Sequence, residues 1–144
     1  MKLMYTKIPL ATRPGVPNVN GNTYSKEVIE NALKEFNGTG RKLYIEKSYP
    51  TDYSIINATQ VDAMNCCGHI DAINLDDQIA DCTVYSNDMD IMKLIENKCL
   101  GLRYLGEVEN NIVTKMKIVC YCLMDKPKVE LSSEYGEFDN KGEW

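Results

Sequence analysis

The sequence has very little histidine, tryptophan or phenylalanine, and it has no long hydrophobic run. One His, one Trp and two Phe occur in 144 residues. No apolar run approaches the roughly 18–20 residues of a membrane-spanning helix, and Met1–Leu10 lacks the apolar core of a signal peptide. The sequence also has no Walker loop, GxGxxG, nucleophile elbow or HExxH motif. We therefore expect assembly in the cytosol, with no membrane partner and no cofactor.

Positive charge is scarce as well. The 16 Lys and Arg against 21 Asp and Glu give a net charge of −5, and nucleic-acid binding needs clustered cations, so no direct nucleic-acid partner is expected. Residues 130–144 contain five acids and one Lys (net −4), which leaves 15 bases and 16 acids (net −1) in residues 1–129. A nearly neutral body, in a chain with nine Tyr, favours contact with other proteins or with further copies of the chain.

The cysteines lack the even spacing of a secreted disulfide framework. They are Cys66, Cys67, Cys82, Cys99, Cys120 and Cys122. Zinc would need paired Cys hooks or His partners, and His69 is the one imidazole in the chain. The sequence therefore predicts buried, reduced thiols and no metal site.

Periodicity predicts one α+β domain over residues 1–127, with the order β-α-β-β-β-α-β-β. Strands are expected at Leu3–Leu10, Arg41–Glu46, Val61–Ile73, Gln78–Tyr85, Leu100–Val108 and Ile112–Leu123. Helices are expected from the N-cap Ser25 to Phe36, and from Ser86 or Asp88 through Ile95. The sheet is expected to be mainly antiparallel and curled towards a barrel, with two helices.

Three details accompany this pattern. Gly68 indicates a bulge, and the Asn110-Asn111 pair indicates a hairpin turn. In the last strand one face is expected to carry the core residues, with Lys115 and Lys117 on the other. The core residues expected there are Ile112, Thr114, Met116, Ile118, Cys120 and Cys122.

Two segments are expected to lie outside the regular elements. Lys47–Thr59 is polar and Tyr-rich without periodicity, which is typical of a functional or interface loop. Residues 128–144 form an acidic, aromatic-containing tail, either a frayed terminus or an arm that docks on a neighbouring subunit.

The candidate chemistry centres on His69. On a regular strand Cys67, His69 and Asp71 would share one face, which suggests a nucleophile, base and orienting acid. Side chains at i and i+2 stand about 6–7 Å apart, too far for a thiol–imidazole hydrogen bond. His69 is therefore expected to be a solvent-facing strand residue. The acid pairs Asp76-Asp77 and Asp88/Asp90 fall at a turn and a helix start, so neither is expected to be catalytic.

The ordered motifs resemble those of tailed-phage prohead maturation proteases. Asn18-Val-Asn-Gly-Asn-Thr-Tyr24 and the following helix resemble that family's N-x-N-G-x-x-Y loop and helix. Gly68–Ile73 resembles its strand that begins with Gly and leads to an acidic turn. Leu94-Ile95 and Leu100–Gly106 resemble its helix and L-G-[LVI]-S-x-x-G block. The resemblance covers residues 1–127 and implies the assemblin-like α+β barrel shared with herpesvirus maturation proteases.

The departures from the family pattern concern its catalytic residues. The position of the family's nucleophilic Ser is Arg103 here, and the segment that holds its catalytic His is Leu43–Ser48, which has no His. Because a triad acts as a unit, losing either group removes most of the rate. A shifted nucleophile at Ser48, Ser54 or Ser86 would have no matching imidazole.

Three functional hypotheses follow. The first is a non-enzymatic structural component of a tailed-phage virion, a capsid or portal-vertex auxiliary protein that binds the major capsid or portal protein. The second is an active maturation serine protease with a shifted site around His69. The third is a small cytosolic phage regulator or inhibitor.

Overall fold

A computed structural model describes residues 2–11, 13–18, 21–49, 59–86, 90–126 and 138–141. The strands are β1 Lys2–Pro9, β2 Leu43–Glu46, β3 Cys66–Asn74, β4 Ile79–Ser86, β5 Lys98–Glu109, β6 Ile112–Asp125 and β7 Phe138–Lys141. The α-helices are α1 Lys26–Leu33 and α2 Ile91–Ile95, and short 3₁₀ turns cover Lys34–Phe36 and Ala63–Asn65. Within the described part of the chain, no helix is long and apolar enough to cross a membrane.

The strands form one mixed sheet in the order β1-β4-β3-β2-β6-β5-β7. Four of its pairings are antiparallel, while β2 with β6 and β5 with β7 are parallel. A single bridge between Leu10 and Leu100 connects the end of β1 to β5, and the sheet is not closed into a barrel. The predicted α+β class and mainly antiparallel pairing are thus confirmed, and closure is not reached.

Helix α1 forms as the sequence predicts. The Ser25 side chain accepts a hydrogen bond from the Val28 backbone N–H at 3.1 Å and so caps the first turn. Ile29 and Ala32 are buried, while Val28, Leu33 and Phe36 pack against the core. The second helix differs from its prediction, because Asp90 is its N-cap rather than Ser86 or Asp88, and Asp88 lies outside the described residues.

Strand β6 corrects the predicted alternation. The turn at Asn110-Asn111 is present, with both residues at positive φ (49° and 63°). However, the β5–β6 register shifts twice, and Thr114 and Val119 are the residues without a register partner. Each bulge reverses which face the following residues occupy. As a result Ile112 and Thr114 are exposed and Val113 is buried instead, whereas Met116, Ile118, Cys120 and Cys122 are buried as expected. Tyr121 and Leu123 are buried as well.

Two further expectations concern the loop and the tail. Most of the predicted interface loop Lys47–Thr59 lies outside the described residues, which include only its ends. In the tail, Phe138–Lys141 forms β7 on the β5 edge, so this part of the tail is not a frayed terminus. The sequence did not predict this strand, because its hydrogen bonds depend on β5 lying beside it.

Candidate functional site

The most distinctive polar feature is a buried ion pair between Glu46 and Arg103. Arg103 Nη1 donates to Glu46 Oε1 at 3.1 Å, and Nη2 donates to Oε2 at 2.8 Å. Each side chain retains 1% of its accessible surface. Two parallel charge-assisted hydrogen bonds in a buried site are a geometrically specific and strong contact.

The carboxylate of Glu46 receives further donors. Oε2 accepts from the Asp62 backbone N–H at 3.0 Å and lies 3.5 Å from the Cys120 thiol, while Oε1 accepts from Asn65 Nδ2 at 3.0 Å. Arg103 Nη2 also donates to the Gln60 carbonyl at 2.6 Å. Every oxygen of the carboxylate is therefore engaged, which leaves Glu46 no free position from which to accept a substrate proton.

Local structure explains why these residues meet. Glu46 ends β2, and Ile45 and Glu46 pair in parallel with Tyr121 and Cys122 of β6. On the other side of β6, Cys120 pairs with Arg103 of β5. Residues 60–65 supply further backbone and amide contacts, with Asp62 capping the 3₁₀ turn through its contact with the Met64 N–H. The pair thus bridges across a central strand, beneath the segment that leads into β3.

The thiols of the site are held in their protonated form. A hydrogen bond with Cys122 and burial together raise the pKa of Cys120 well above its ordinary value. Burial raises the pKa of Cys66 to about 11 and that of Cys67 to about 12. All six thiols are free, and all but the half-buried Cys66 are buried, as the sequence predicts. Since the thiolate is the nucleophile, these groups are poor nucleophiles at neutral pH.

The predicted row around His69 is only partly formed. His69 Nε2 lies 3.2 Å from Asp71 Oδ1, and Asp71 also accepts a hydrogen bond from the Thr83 hydroxyl at 2.7 Å. Cys67 instead belongs to the hydrophobic core, because a register shift between β2 and β3 leaves it without a partner on β2. The bulge expected at Gly68 therefore falls one residue earlier.

The surroundings of His69 also differ from the prediction. Its side chain is 19% exposed, so it is mostly covered rather than solvent-facing. The ring lies near Tyr85, and together with Asp71 it lines one side of an open groove of about 570 Å³ between the end of α1 and β2–β3. Neither neighbour brings a serine hydroxyl or a thiol to the imidazole. In the described residues, no group of three or more His, Cys, Asp or Glu could hold a metal ion.

The loop that carries the N-terminal motif is ordered where the structure describes it. The Asn18 side-chain oxygen accepts from the Asn22 N–H at 3.0 Å, and Gly21 adopts a φ of 79° that favours glycine. Tyr24 is buried and meets Tyr104 edge-to-face, with the ring centroids 5.9 Å apart. The motif residues thus have structural roles in packing the loop against the core.

The outer face of β1 carries the most exposed large side chains of that strand. Leu3 is 57% exposed and Tyr5 is 79% exposed, while Ile8, on the core face, is buried. Leu3 pairs with the half-buried Tyr85 and Tyr5 pairs with the buried Thr83, so the exposed apolar side chains here belong to β1. Such surface is available for contact with another protein.

Sequence reasoning did not identify Glu46 as the partner of Arg103. One signal was present: Arg103 is a single charge within the apolar run Cys99–Leu105, and a charge on a buried strand needs a partner. The identity of that partner depends on the parallel pairing of β2 with β6, which joins segments more than fifty residues apart. Comparisons of the chain with protein-family models, with curated proteins and with solved structures gave no match.

Proposed function

We propose that this chain is a non-enzymatic structural component of a tailed-phage virion, a capsid or portal-vertex auxiliary protein on a protease-like fold. The observation that carries the proposal is the Glu46–Arg103 pair. In the resembled protease family, the strand of Arg103 holds the nucleophilic serine, and the segment Leu43–Ser48 holds the histidine. Here those two segments meet in a buried ion pair, in which both oxygens of the Glu46 carboxylate accept hydrogen bonds, and this arrangement offers neither a nucleophile nor a base.

The finer fold assignment belongs to the same proposal. The mixed sheet with two helices and the buried Asn18, Asn22 and Tyr24 of the motif loop are compatible with an assemblin-like fold. The proximity of Glu46 to Arg103 supports it further, because a protease ancestor would have needed the same two segments within hydrogen-bonding reach.

The proposed partners are the major capsid or portal protein, and the proposed site of assembly is the host cytoplasm. The nearly neutral body and the exposed Leu3 and Tyr5 support protein contact rather than charge-repelled solubility. In this proposal the chain binds its partners through the Tyr-rich loop Lys47–Thr59 and the tail 128–144, and it remains in the finished particle.

An active protease around His69 is the second candidate, favoured by the 3.2 Å contact between His69 and Asp71. A base and an orienting acid are thus in place. The nucleophile is the weak point, because Cys67 is packed in the core with its pKa raised to about 12. A small cytosolic regulator or inhibitor is the third candidate and would use the same exposed surfaces.

Mass spectrometry of purified particles tests the first proposal. We expect the full-length chain in the particles at a fixed ratio to the capsid protein. Absence from particles despite abundance in infected cells would favour the regulator instead.

A processing assay separates the structural proposal from the protease. The purified chain is incubated with capsid and scaffold precursors, alongside His69→Ala as the test variant and Lys7→Ala as a surface control. We expect no cleavage by any of the three proteins. Cleavage that His69→Ala abolishes and Lys7→Ala preserves would contradict the proposal and establish a protease.

A further inference from the structure

The two edges of β5 are occupied very differently. On one side β6 pairs along the whole strand, Lys98–Glu109. On the other side, among the residues that the structure describes, β7 pairs with Arg103–Gly106 and Leu10 forms one bridge with Leu100. An unpaired strand edge presents N–H and C=O groups that readily accept another strand. The middle of this edge is therefore a strand-acceptor site, and Phe138–Lys141 is the described segment that pairs with it.

The connection to β7 is longer than the distance it must cover. Asp125 at the end of β6 lies opposite Lys98, and Phe138 lies opposite Arg103. Five residues along β5 and two strand spacings separate these points by roughly 20 Å. The twelve peptide units from Lys126 to Phe138 reach about 40 Å when extended. The length of this connection therefore does not restrict β7 to pairing with β5 of its own copy.

Charge also favours this edge for the acidic tail that contains β7. Leu105 pairs with Asn140 of β7 on one side and with Lys117 of β6 on the other. Lys117 is exposed and forms no ion pair with the residues that the structure describes. Residues 130–144 carry a net charge of −4. The attraction is the same whichever copy provides the strand, because all copies carry both the tail and the lysine.

We propose that the β5 edge at Arg103–Gly106 accepts the Phe138–Lys141 strand of a second copy, so that neighbouring copies exchange their tails. The same backbone pairing forms within one copy and between two copies. The concentration of the chain decides which of the two arrangements dominates. A connection of this length holds its own strand at a local concentration on the order of millimolar. Exchange therefore dominates where copies are held at comparable density, as in an ordered array, and dilute chains close on themselves.

Shortening the connection tests the exchange directly. Deleting residues 129–134 leaves six peptide units from Lys126 to Phe138, about 20 Å when fully extended, which leaves no slack for closure within one copy. We expect sedimentation equilibrium to show dimers or larger species at about 10 μM, where closure keeps the full chain monomeric. A shortened chain that stays monomeric up to about 1 mM would overturn the proposal.

A matched control carries the same deletion with Asp139→Pro and Asn140→Pro. Proline removes the N–H groups that a strand donates to the edge, so this variant should return to a monomer. Equal association of this control would show that another surface joins the copies and would overturn the exchange.

The unshortened chain provides a second measurement if the deletion disturbs folding. Its average mass should rise as its concentration approaches about 1 mM, and the unshortened double-proline variant should remain monomeric. A full-chain mass that does not change with concentration would contradict the proposal. The inference rests on the sheet edge and not on a viral role, so its failure would leave the proposed function standing.

Discussion

At the scale of single residues, the chain buries a full positive and a full negative charge next to each other. Taking two such charges out of water costs several kcal/mol per ion, and the cost is offset only when geometry and additional hydrogen bonds are good. Glu46 meets this condition through Arg103, Asn65 and the Asp62 backbone. We therefore expect the intact pair to add little net stability, although the loss of either partner would be costly.

We predict that Glu46→Gln lowers the free energy of unfolding by about 3–5 kcal/mol, since it leaves Arg103 buried without a counter-charge. The new amide would also point its NH₂ group at N–H donors from which the carboxylate now accepts hydrogen bonds. Urea unfolding followed by circular dichroism measures the loss.

Two controls accompany this variant. Lys7→Ala breaks the exposed contact with Asp81 and should cost less than about 1 kcal/mol. Replacing both charges, as Glu46→Leu with Arg103→Met, should recover a large part of the loss, because no unpaired charge remains. Equal losses of unfolding free energy for Glu46→Gln and Lys7→Ala would show that the buried pair matters no more for stability than an exposed contact.

At the scale of elements, strand β3 depends on a close approach that only glycine permits. A Cβ at Gly68 would collide with the Thr83 carbonyl oxygen on β4. The same region carries two register shifts, which place Cys67 in the core and bring Asp71 against His69. The hairpin of β3 and β4 is thus irregular where it is most tightly packed.

We predict that Gly68→Ala costs about 1–3 kcal/mol or more, because the neighbouring backbone must move to admit a methyl group. Gly38→Ala is the matched control, since its surroundings are open and its positive φ of 68° is the only obstacle. That control should cost about 1 kcal/mol. Thermal unfolding of both variants checks the difference, and a smaller loss at Gly68 than at Gly38 would contradict the described packing.

At the scale of the whole molecule, buried thiols with raised pKa values couple stability to alkaline pH. Burial raises the pKa of both Cys67 and Cys82 from 9.0 to about 12. Below pH 9 these thiols are protonated in the folded and unfolded states alike, so they do not make the free energy of unfolding depend on pH. Between pH 9 and 12 the unfolded chain releases protons that the folded chain retains, and the unfolded state is favoured.

We therefore predict that the free energy of unfolding falls progressively as the pH rises from 9 to 12. Denaturant unfolding at several pH values measures this slope. A double variant, Cys67→Ala with Cys82→Ala, should show a shallower slope, because two of the responsible groups are absent. An unchanged slope would mean that other groups, such as tyrosines and lysines, account for the alkaline loss.

Part of this structure is determined by the sequence alone, because the interactions are local. The Ser25 cap, the apolar stripe of α1 and the Asn110-Asn111 turn depend on residues within a few positions of one another. The six reduced thiols follow from composition and spacing. The sequence also shows that Leu43–Ser48 has no imidazole to match Arg103, because the single histidine is at position 69.

The tertiary structure alone decided the features that join distant segments. Bulges at Thr114 and Val119 changed which face of β6 carries the core residues along the strand, so that Ile112 and Thr114 became exposed, since each shift of one residue inverts the side chains that follow it. Glu46 became the partner of Arg103 through parallel strand pairing, and β7 formed because β5 offered an open edge. Such contacts depend on which strands lie side by side, and periodicity along one strand carries no record of its neighbours.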